Sequence, residues 1–151
     1  MTVKKIPDRY YQSVIPHIMI KEASAAIEFY RQAFGATEIF RISKPNGKIV
    51  HAEIQIEDSI IMVGDAESPF QDPKSLGGLT VGLHIYIEDV DARSAQAVSV
   101  GAKEIQPVQD MFYGDRMAML EDPFGYIWVF LTHKEDLTPE EIKKRGEAMF
   151  K

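Results

Sequence analysis

The sequence predicts an α+β fold made of two copies of a βαβββ unit, in which one strand precedes a helix and three strands follow it. The first indication is an internal repeat: residues 15–39 and 82–105 share a histidine-bearing strand, an acidic turn and an alanine-rich helix closed by Gly-Ala. Alternation of apolar and polar residues along the later segments is the second indication. Turn-forming residues at matching places in the two halves are the third.

In the first half, a strand carrying His17 leads into a helix with an apolar face at helical spacing. That face consists of Ala23, Ala26, Ile27, Tyr30 and Phe34. We expect the helix to end at Gly35, because glycine readily adopts the left-handed conformation that closes a helix. Residues 47–63 then predict two strands joined by a turn at residues 57–59.

The second half repeats this pattern. A strand carrying His84 precedes a helix that we expect to end at Gly101. Residues 114–131 predict two strands joined by a turn at residues 121–125, where Asp-Pro and Phe-Gly are turn-forming pairs.

We therefore expect one domain over residues 1–151, with a first module at about residues 12–66 and a second at about 80–133. The linker between them, at about residues 67–79, is rich in proline and glycine. A short C-terminal helix at about residues 139–150 begins with a Thr-Pro-Glu-Glu capping box.

Composition excludes several classes of function. The net charge of −6 argues against a nucleic-acid partner, because phosphates attract a basic surface. No apolar run approaches the roughly 20 residues of a membrane span, and the first residues lack the apolar core of a signal peptide. The absence of cysteine excludes disulfides, thiolate metal sites and a cysteine nucleophile. We expect a cytoplasmic protein without a membrane partner.

Alternation also assigns one face of each predicted sheet to a pocket. Along residues 50–57, the polar side chains His51, Glu53 and Gln55 share one face, opposite alanine and isoleucine. His84 and Tyr86 share the corresponding face of the later strand. The apolar faces should pack against the helices, so the polar faces are left as a concave surface. If the two half-sheets curl toward each other, that surface encloses a pocket.

Two interpretations are open for the polar residues of this surface. His17 and His84 are either hydrogen-bonded pocket histidines, which we favour, or a metal pair completed by Glu53. Glu53 is either a general base whose pKa is raised by burial or a structural anchor for Arg116 or a backbone turn.

Arg116 either clamps an anionic ligand or forms an ordinary salt bridge, and the salt bridge is the commoner role. Trp128 is assigned to the core by strand parity, whereas Tyr86, Phe112 and Tyr113 are candidates for pocket walls.

Several motifs together resemble one known family. They are Phe-Tyr…Phe-Gly-Ala at residues 29–36, His-Ala-Glu at 51–53, Gly-Asp-Arg at 114–116 and Asp-Pro-Phe-Gly…Trp at 122–128. In this order, they resemble the vicinal oxygen chelate superfamily of glyoxalases, bleomycin-resistance proteins and dioxygenases, and most closely its PhnB-like subgroup. The resemblance covers about residues 15–141.

The resemblance implies two βαβββ modules that form a curved, barrel-like mixed sheet with the helices on its outer face, and it implies a homodimer. The superfamily includes metal-dependent enzymes and also metal-free proteins that bind and sequester drugs. Its four metal-ligand positions correspond here to Ile15, Met62, Gly82 and Val129. None of these residues is a ligand type, so we expect no cofactor. A divalent metal is possible if the site is shifted to His17, His84 and Glu53.

The predicted function is therefore metal-free binding or sequestration of a small, partly apolar ligand. The alternative is a glyoxalase-like lyase or isomerase that uses the shifted metal site, or Glu53 as a metal-free general base and catalytic residue. The predicted ligand-binding residues are His17, His51, Glu53, Gln55, His84, Tyr86, Phe112, Tyr113 and Arg116.

Overall fold

The strands of residues 2–150, the part of the chain described by this computed structural model, form two four-stranded mixed sheets that are not closed into a barrel. The chain divides after Gly78 into two compact units, each of which contains one of these sheets. The predicted α+β fold with two βαβββ modules is confirmed. None of the helices in residues 2–150 is long and apolar enough to cross a membrane.

The first unit contains one complete βαβββ module, with its sheet in the order β1-β4-β3-β2. Its elements are β1 (His17–Ile20), α1 (Ala23–Phe34), β2 (Thr37–Ser43), β3 (Ile49–Ile56), β4 (Ser59–Asp65) and α2 (Pro73–Leu76). Strand β1 runs parallel to β4, and the other pairs are antiparallel. Ile56 pairs with Ser59, so the predicted turn is a tight two-residue connection.

The second unit has the same topology, with its sheet in the order β5-β8-β7-β6. Its elements are β5 (Leu83–Tyr86), α3 (Val90–Ser99), β6 (Lys103–Asp110), β7 (Asp115–Glu121), β8 (Ile127–His133) and α4 (Pro139–Met149). Strand β5 runs parallel to β8, as β1 does to β4.

In the first unit, the last strand positions the start of the helix. The Asp65 carboxylate accepts hydrogen bonds from the backbone N–H groups of Glu22 and Ala23 at 3.0 and 3.1 Å, and from that of Ile49 at 2.7 Å. A carboxylate at this place satisfies donors that have no partner within the helix. Helix α1 therefore covers the sheet face that carries Asp65.

The second unit uses a threonine at the corresponding place. Thr132 Oγ1 accepts a hydrogen bond from the backbone N–H of Val90, the first residue of α3, at 2.9 Å. The same hydroxyl donates to the carbonyl of Ile87 at 3.0 Å. Because side chains alternate along a strand, Trp128, Phe130 and Thr132 all face α3. Trp128 is fully buried, as its assignment to the core predicted.

The helix ends agree only in part with the sequence. Gly35 closes α1 in the left-handed conformation, with φ of 68°, as predicted. Gly101 also has a positive φ, of 125°, but it follows the end of α3 less directly, because the last helical residue is Ser99 and Val100 lies between them. The backbone N–H groups of Val100 and Gly101 bond to carbonyls three residues back, at Ala97 and Val98, which tightens this end into a 3₁₀-type turn.

Helix α2 lies within the stretch that the sequence indicated as a linker. Its single turn begins at Pro73 after Asp72, whose side chain accepts a hydrogen bond from the Ser75 N–H at 3.2 Å. An aspartate cap followed by proline at the first position is a local helix-start signal. The linker prediction for residues 67–79 did not include this turn.

The C-terminal helix begins with the predicted capping box of Thr138 and Glu141. It packs against Phe112 of the same unit. A side chain at Gly146 would lie 3.1 Å from the Phe112 ring, so this glycine permits the close approach. Arg145 donates to the Phe112 carbonyl at 3.3 Å and is paired with Glu135 at 2.7 Å.

The turn between β7 and β8 is organised by one buried carboxylate. Asp122 accepts hydrogen bonds from the backbone N–H groups of Phe124 and Tyr126 at 2.8 and 3.0 Å. It also accepts one from the Trp128 indole N–H at 2.8 Å. The turn and the largest core side chain therefore depend on the same group.

We expect Asp122→Ala to lower the free energy of unfolding by about 2–3 kcal/mol, because it removes charge-assisted hydrogen bonds and leaves a buried indole N–H unpaired. Urea denaturation measures this change. The matched control is Asp58→Ala in the exposed turn of the first unit, which we expect to cost about 0.5 kcal/mol or less. Equal losses in the two variants would contradict the role of Asp122.

Candidate functional site

The face of the first sheet opposite α1 carries a row of four paired residues. In register, His17 lies beside Met62, Met62 beside Glu53, and Glu53 beside Phe40. Residues paired across strands point to the same side of a sheet, so these side chains share the open face. A side chain at Gly64 would lie 3.1 Å from the carbonyl oxygen of Val50 and 3.5 Å from His17 Nε2, so this glycine permits a close approach to the backbone of β3.

Glu53 is the charged group at the centre of this face, and its residue is only 2% exposed. Its Oε1 accepts a hydrogen bond from Arg9 Nε at 2.8 Å, and its Oε2 accepts one from Arg9 Nη2 at 3.2 Å. Nε2 of His51 lies 3.0 Å from the same Oε2. The carboxylate is therefore held by a two-pronged guanidinium contact and by one imidazole.

These contacts keep Glu53 ionised. The hydrogen bonds from Arg9, and then those from His51 and Tyr10, lower the pKa of Glu53 to about 2 against the opposing effect of burial. The raised pKa that a general base at this position requires is therefore the wrong expectation. The proposed anchoring of Arg116 by Glu53 is also wrong, because the arginine bound here is Arg9.

Aromatic rings surround the carboxylate. His51 makes ring contacts with His17 and with Phe40, at centroid distances of 5.6 and 5.7 Å. The Arg9 guanidinium lies 4.6 Å from the centroid of the Tyr10 ring and 5.8 Å from that of Phe40. Both distances are within the range of cation–π attraction. Loss of hydration and repulsion from His51 lower the pKa of His17, which favours its neutral form.

Gln55 lies on the same face but outside this cluster. It is exposed, and its Nε2 donates to the backbone carbonyl of Glu57 at 3.1 Å. This bond steadies the turn between β3 and β4. The structure therefore brings His17, His51 and Glu53 together and leaves Gln55 at the margin.

The open face of the second sheet carries a chain of four polar side chains. Tyr86 Oη donates to the Asp115 carboxylate at 2.7 Å. Nδ1 of His133 lies 2.8 Å from the other oxygen of Asp115, and Nε2 of His133 lies 2.7 Å from Asp136. Asp115 is buried, with only 4% of its surface exposed. A carboxylate on each side of one imidazole favours its charged form.

The protonation states of Tyr86 and His133 follow from their contacts with Asp115 and Asp136. Hydrogen bonds donated to the Asp115 and Asp136 carboxylates raise the pKa of His133. The hydrogen bond to Asp115, and then burial, raise the pKa of Tyr86, which keeps its hydroxyl protonated. In these protonation states, Tyr86 and His133 both donate hydrogen bonds to the Asp115 carboxylate.

An apolar cluster lies beside these four polar side chains. Met117, Val129 and Leu131 are buried on the open face, with Met111, Tyr113 and Met119 packed against them. His84 is paired with Val129 and is exposed. The predicted wall residue Tyr113 therefore belongs to this face. Phe112 instead packs against α4, through its contact with Gly146.

Arg116 lies on the opposite, helix-covered side of the second sheet. Its Nε and Nη2 bond to Asp91 of α3 at 2.8 and 3.0 Å, and its Nη1 bonds to Asp110 at 3.1 Å. This arrangement is the ordinary salt bridge that the sequence favoured. It separates Arg116 from the other predicted ligand-binding residues of its unit.

The metal centre that the family resemblance implies does not fit these residues. His17 is paired with Met62 and His84 with Val129, so the fourth and eighth strands supply no nitrogen or oxygen side chain at these rows. Among residues 2–150, no three His, Asp or Glu side chains are grouped so that they could hold a metal ion. Of the shifted set, His17 and Glu53 belong to the first unit and His84 to the second.

A surface depression of about 410 Å³ lies on the helix side of the second unit, between α3 and β6. Its lining consists of Asp91, Ser94, Ala95, Val98, Ser99, Glu104 and Val108. The predicted ligand-binding residues are not in this lining. Most of these lining side chains are small, and none of them is aromatic.

Sequence reasoning missed several residues of both faces. Arg9 and Tyr10 precede the first strand and were passed over as an N-terminal segment, although a cation beside two tyrosines is a recognisable feature of it. Phe40 was missed because β2 was not analysed for its faces. Asp115 and His133 stand 18 positions apart, and only the pairing of β7 with β8 joins them.

Comparison with known proteins agrees with the topology. Residues 14–130 match the model of the Glyoxalase/Bleomycin resistance protein/Dioxygenase superfamily. The uncharacterized protein Rv0887c of Mycobacterium tuberculosis is 34% identical over 133 residues, which cover 85% of this chain and 78% of that protein.

Solved structures are also similar. The Arabidopsis thaliana At5g48480 gene product matches with a TM-score of 0.67 and 25% identity, over 80% of this chain and 98% of that one. A PhnB protein from Bacillus cereus, described as a putative 3-demethylubiquinone-9 3-methyltransferase, matches with a TM-score of 0.61 over 80% of this chain and 99% of that one. At 15% identity, this second match shows the fold alone.

Acid unfolding tests the state of Glu53. A carboxyl whose pKa falls from 4.5 to about 2 on folding stabilises the protein above pH 4.5, and the stabilisation is lost as the pH falls toward 2. We expect Glu53→Gln to remove much of this dependence in urea denaturation measured between pH 5 and pH 2.5. The control is Glu104→Gln at an exposed position of β6, which should leave the pH dependence close to that of wild type. An unchanged pH dependence in Glu53→Gln would refute the assignment.

NMR titration tests the hydrogen bonds that join His133 to Asp115 and Asp136. We expect the pKa of His133 to lie above 6.5 and to fall in Asp115→Asn, which removes one negative neighbour. Since the folded pKa is raised, this stabilisation is present below pH 6.5 and is lost as the pH rises through the folded value. Asp91→Asn, on the α3 side, should leave the His133 titration unchanged. A His133 pKa unaffected by Asp115→Asn would contradict the chain.

Proposed function

We propose that this chain, which belongs to the Glyoxalase/Bleomycin resistance protein/Dioxygenase superfamily, is a small-molecule-binding protein that needs no metal. The ligand would lie on the open face of the first sheet, with a polar group at Glu53 and an apolar part on Phe40 and His51. Superfamily membership supports a pocket protein, and the charged and aromatic side chains of this face support the choice of site.

The observation that carries the proposal is the buried Glu53 carboxylate on an open sheet face. A charged group that is 98% buried must be matched by donors, and here they are arranged before any ligand arrives. Phe40 and His51 flank it with apolar surface. Small-molecule sites typically combine a few fixed polar groups with aromatic walls in this way.

The open face of the second sheet, taken by itself, offers a second surface for a partly apolar ligand. Methionine side chains are flexible and polarisable, so Met111, Met117 and Met119 can adapt to ligands of different shape. Tyr86 and Asp115 supply fixed polar groups beside them. Such a surface suits a protein that holds several related molecules.

A lyase or isomerase has less support from these residues. A general base works best with a pKa near the working pH, and Glu53 is far below it while Arg9 is bound. A metal-dependent version would need oxygen or nitrogen ligands at the positions of Met62 and Val129, which carry none.

A ligand screen on chelator-treated protein tests the proposal. We expect thermal-shift screening to find compounds that bind saturably, with one-to-one stoichiometry by calorimetry and no metal by elemental analysis. His51→Ala should weaken a ligand bound at the first sheet by about tenfold or more, because it removes one wall and one donor of the site.

The matched control is Arg31→Ala, which breaks an exposed ion pair on α1 and should leave the affinity unchanged. A failure to bind any compound saturably would contradict the proposal. Binding that disappears on chelation and returns with a divalent metal would instead favour the metal-dependent enzyme.

A further inference from the structure

The Glu53 site already holds a cation supplied by the chain itself. Nε and Nη2 of Arg9 face the two carboxylate oxygens at 2.8 and 3.2 Å, so the edge of the planar guanidinium matches the edge of the carboxylate. This pairing places a planar cation against a buried charge. A soluble cation with the same two parallel N–H groups would make the same contacts.

The walls of the site are suited to a flat cation. The Arg9 guanidinium lies over the Tyr10 ring and within 5.8 Å of the Phe40 centroid. Phe40 and His51 belong to the sheet, so they would remain if the segment carrying Arg9 moved away. Aromatic faces attract cations because their π-electrons are negative, and they repel anions for the same reason.

The segment that carries Arg9 is weakly attached. Residues 2–14 are exposed apart from Tyr10, which is partly buried, and they form no helix or strand in the described chain. Arg9 itself remains 39% exposed in its side chain, although its partner Glu53 is buried. Segments with exposed backbone and few buried contacts open at low free-energy cost, so Arg9 can leave the site without disturbing the sheet.

We propose that the Glu53 site recognises organic cations with an amidinium or guanidinium head, and that Arg9 is an internal occupant that such a ligand displaces. This inference rests on the proposed function and names the ligand class for the first sheet. Displacement keeps Glu53 paired throughout, because one cation replaces another. The net charge of −6 also favours the approach of cations, because opposite charges attract each other.

Competition by Arg9 sets the expected size of the effect. When a site is open for only a fraction of the time, the apparent dissociation constant rises by the inverse of that fraction. Arg9 bound for about 90% of the time would therefore weaken an external ligand about tenfold. Removing Arg9 should strengthen binding, whereas removing a residue that contacts the ligand should weaken it.

Benzamidine is the probe, since it joins an amidinium to a flat apolar ring. Calorimetry at pH 7 on the full chain should show one-to-one binding to Arg9→Ala that is about tenfold or more tighter than to wild type. Benzylamine, with the same ring and a single ammonium, should bind Arg9→Ala more weakly than benzamidine. Adding Glu53→Gln to Arg9→Ala should abolish benzamidine binding, and Arg31→Ala should behave as wild type.

Wild-type protein provides a second test that does not depend on the stability of the variants. The Arg9 Nε–H resonance should move toward the position of a free arginine as benzamidine saturates the site. The inference is overturned if saturating benzamidine leaves this resonance unchanged. It is also overturned if folded Arg9→Ala binds benzamidine no more tightly than wild type, or if binding survives in the double variant.

Failure of this inference is distinguishable from failure of the proposed function. If neutral or anionic compounds bind saturably and benzamidine does not, only the ligand class is wrong. If no compound of any charge binds to wild type or to Arg9→Ala, the binding function itself is wrong.

Discussion

The register of the first sheet is the constraint on which the site depends. Pairing of His17 with Met62 and of Met62 with Glu53 places all three side chains on the face away from α1. Because side chains alternate with a period of two, a slip of one residue in β3 would turn Glu53 toward the helix and expose Ala52 and Ile54. Asp65 opposes such a slip in β4, because its carboxylate binds the start of α1 and the N–H of Ile49 together. The contacts of Asp65 therefore hold α1 on the sheet and also fix which face of β3 and β4 carries the polar side chains.

Burial of a carboxylate on each open face links stability to function. Glu53 and Asp115 are both nearly inaccessible to solvent, and each is held by charged or polar partners rather than by backbone alone. A buried charge is tolerated only when it is paired, so each site must be kept filled by some donor. In the first unit, the donor is an arginine on an exposed segment, and in the second it is a tyrosine and a histidine on the sheet. This difference is the basis for the proposal that the cation at the first site can be exchanged.

The family resemblance narrows the chemistry less than the side chains do. Members of a fold can use the same sheet for a metal centre or for a dry pocket, so the residues at the strand positions decide between them. Here Met62 and Val129 occupy the rows beside the two histidines, and a thioether and an isopropyl group do not replace carboxylate ligands. The lowered pKa of Glu53 argues against a role as general base, because an ionised carboxylate with a low pKa pairs with a cation more readily than it takes up a proton. These residues are the reason we propose recognition of a charged ligand at the first sheet.

By itself, the sequence determined the repeated βαβββ order, the tight turn after β3, the end of α1 at Gly35, the burial of Trp128 and the capped C-terminal helix. These features arise from local signals, namely strand alternation, turn residues and helix caps, which act over a few positions. Tertiary structure alone decided that Arg9 binds Glu53 and that Asp115 binds His133. Those pairs are 44 and 18 positions apart, and no local pattern relates their members. It also decided the protonation of Glu53, because a carboxyl buried alone would have its pKa raised and the same carboxyl beside a guanidinium has it lowered.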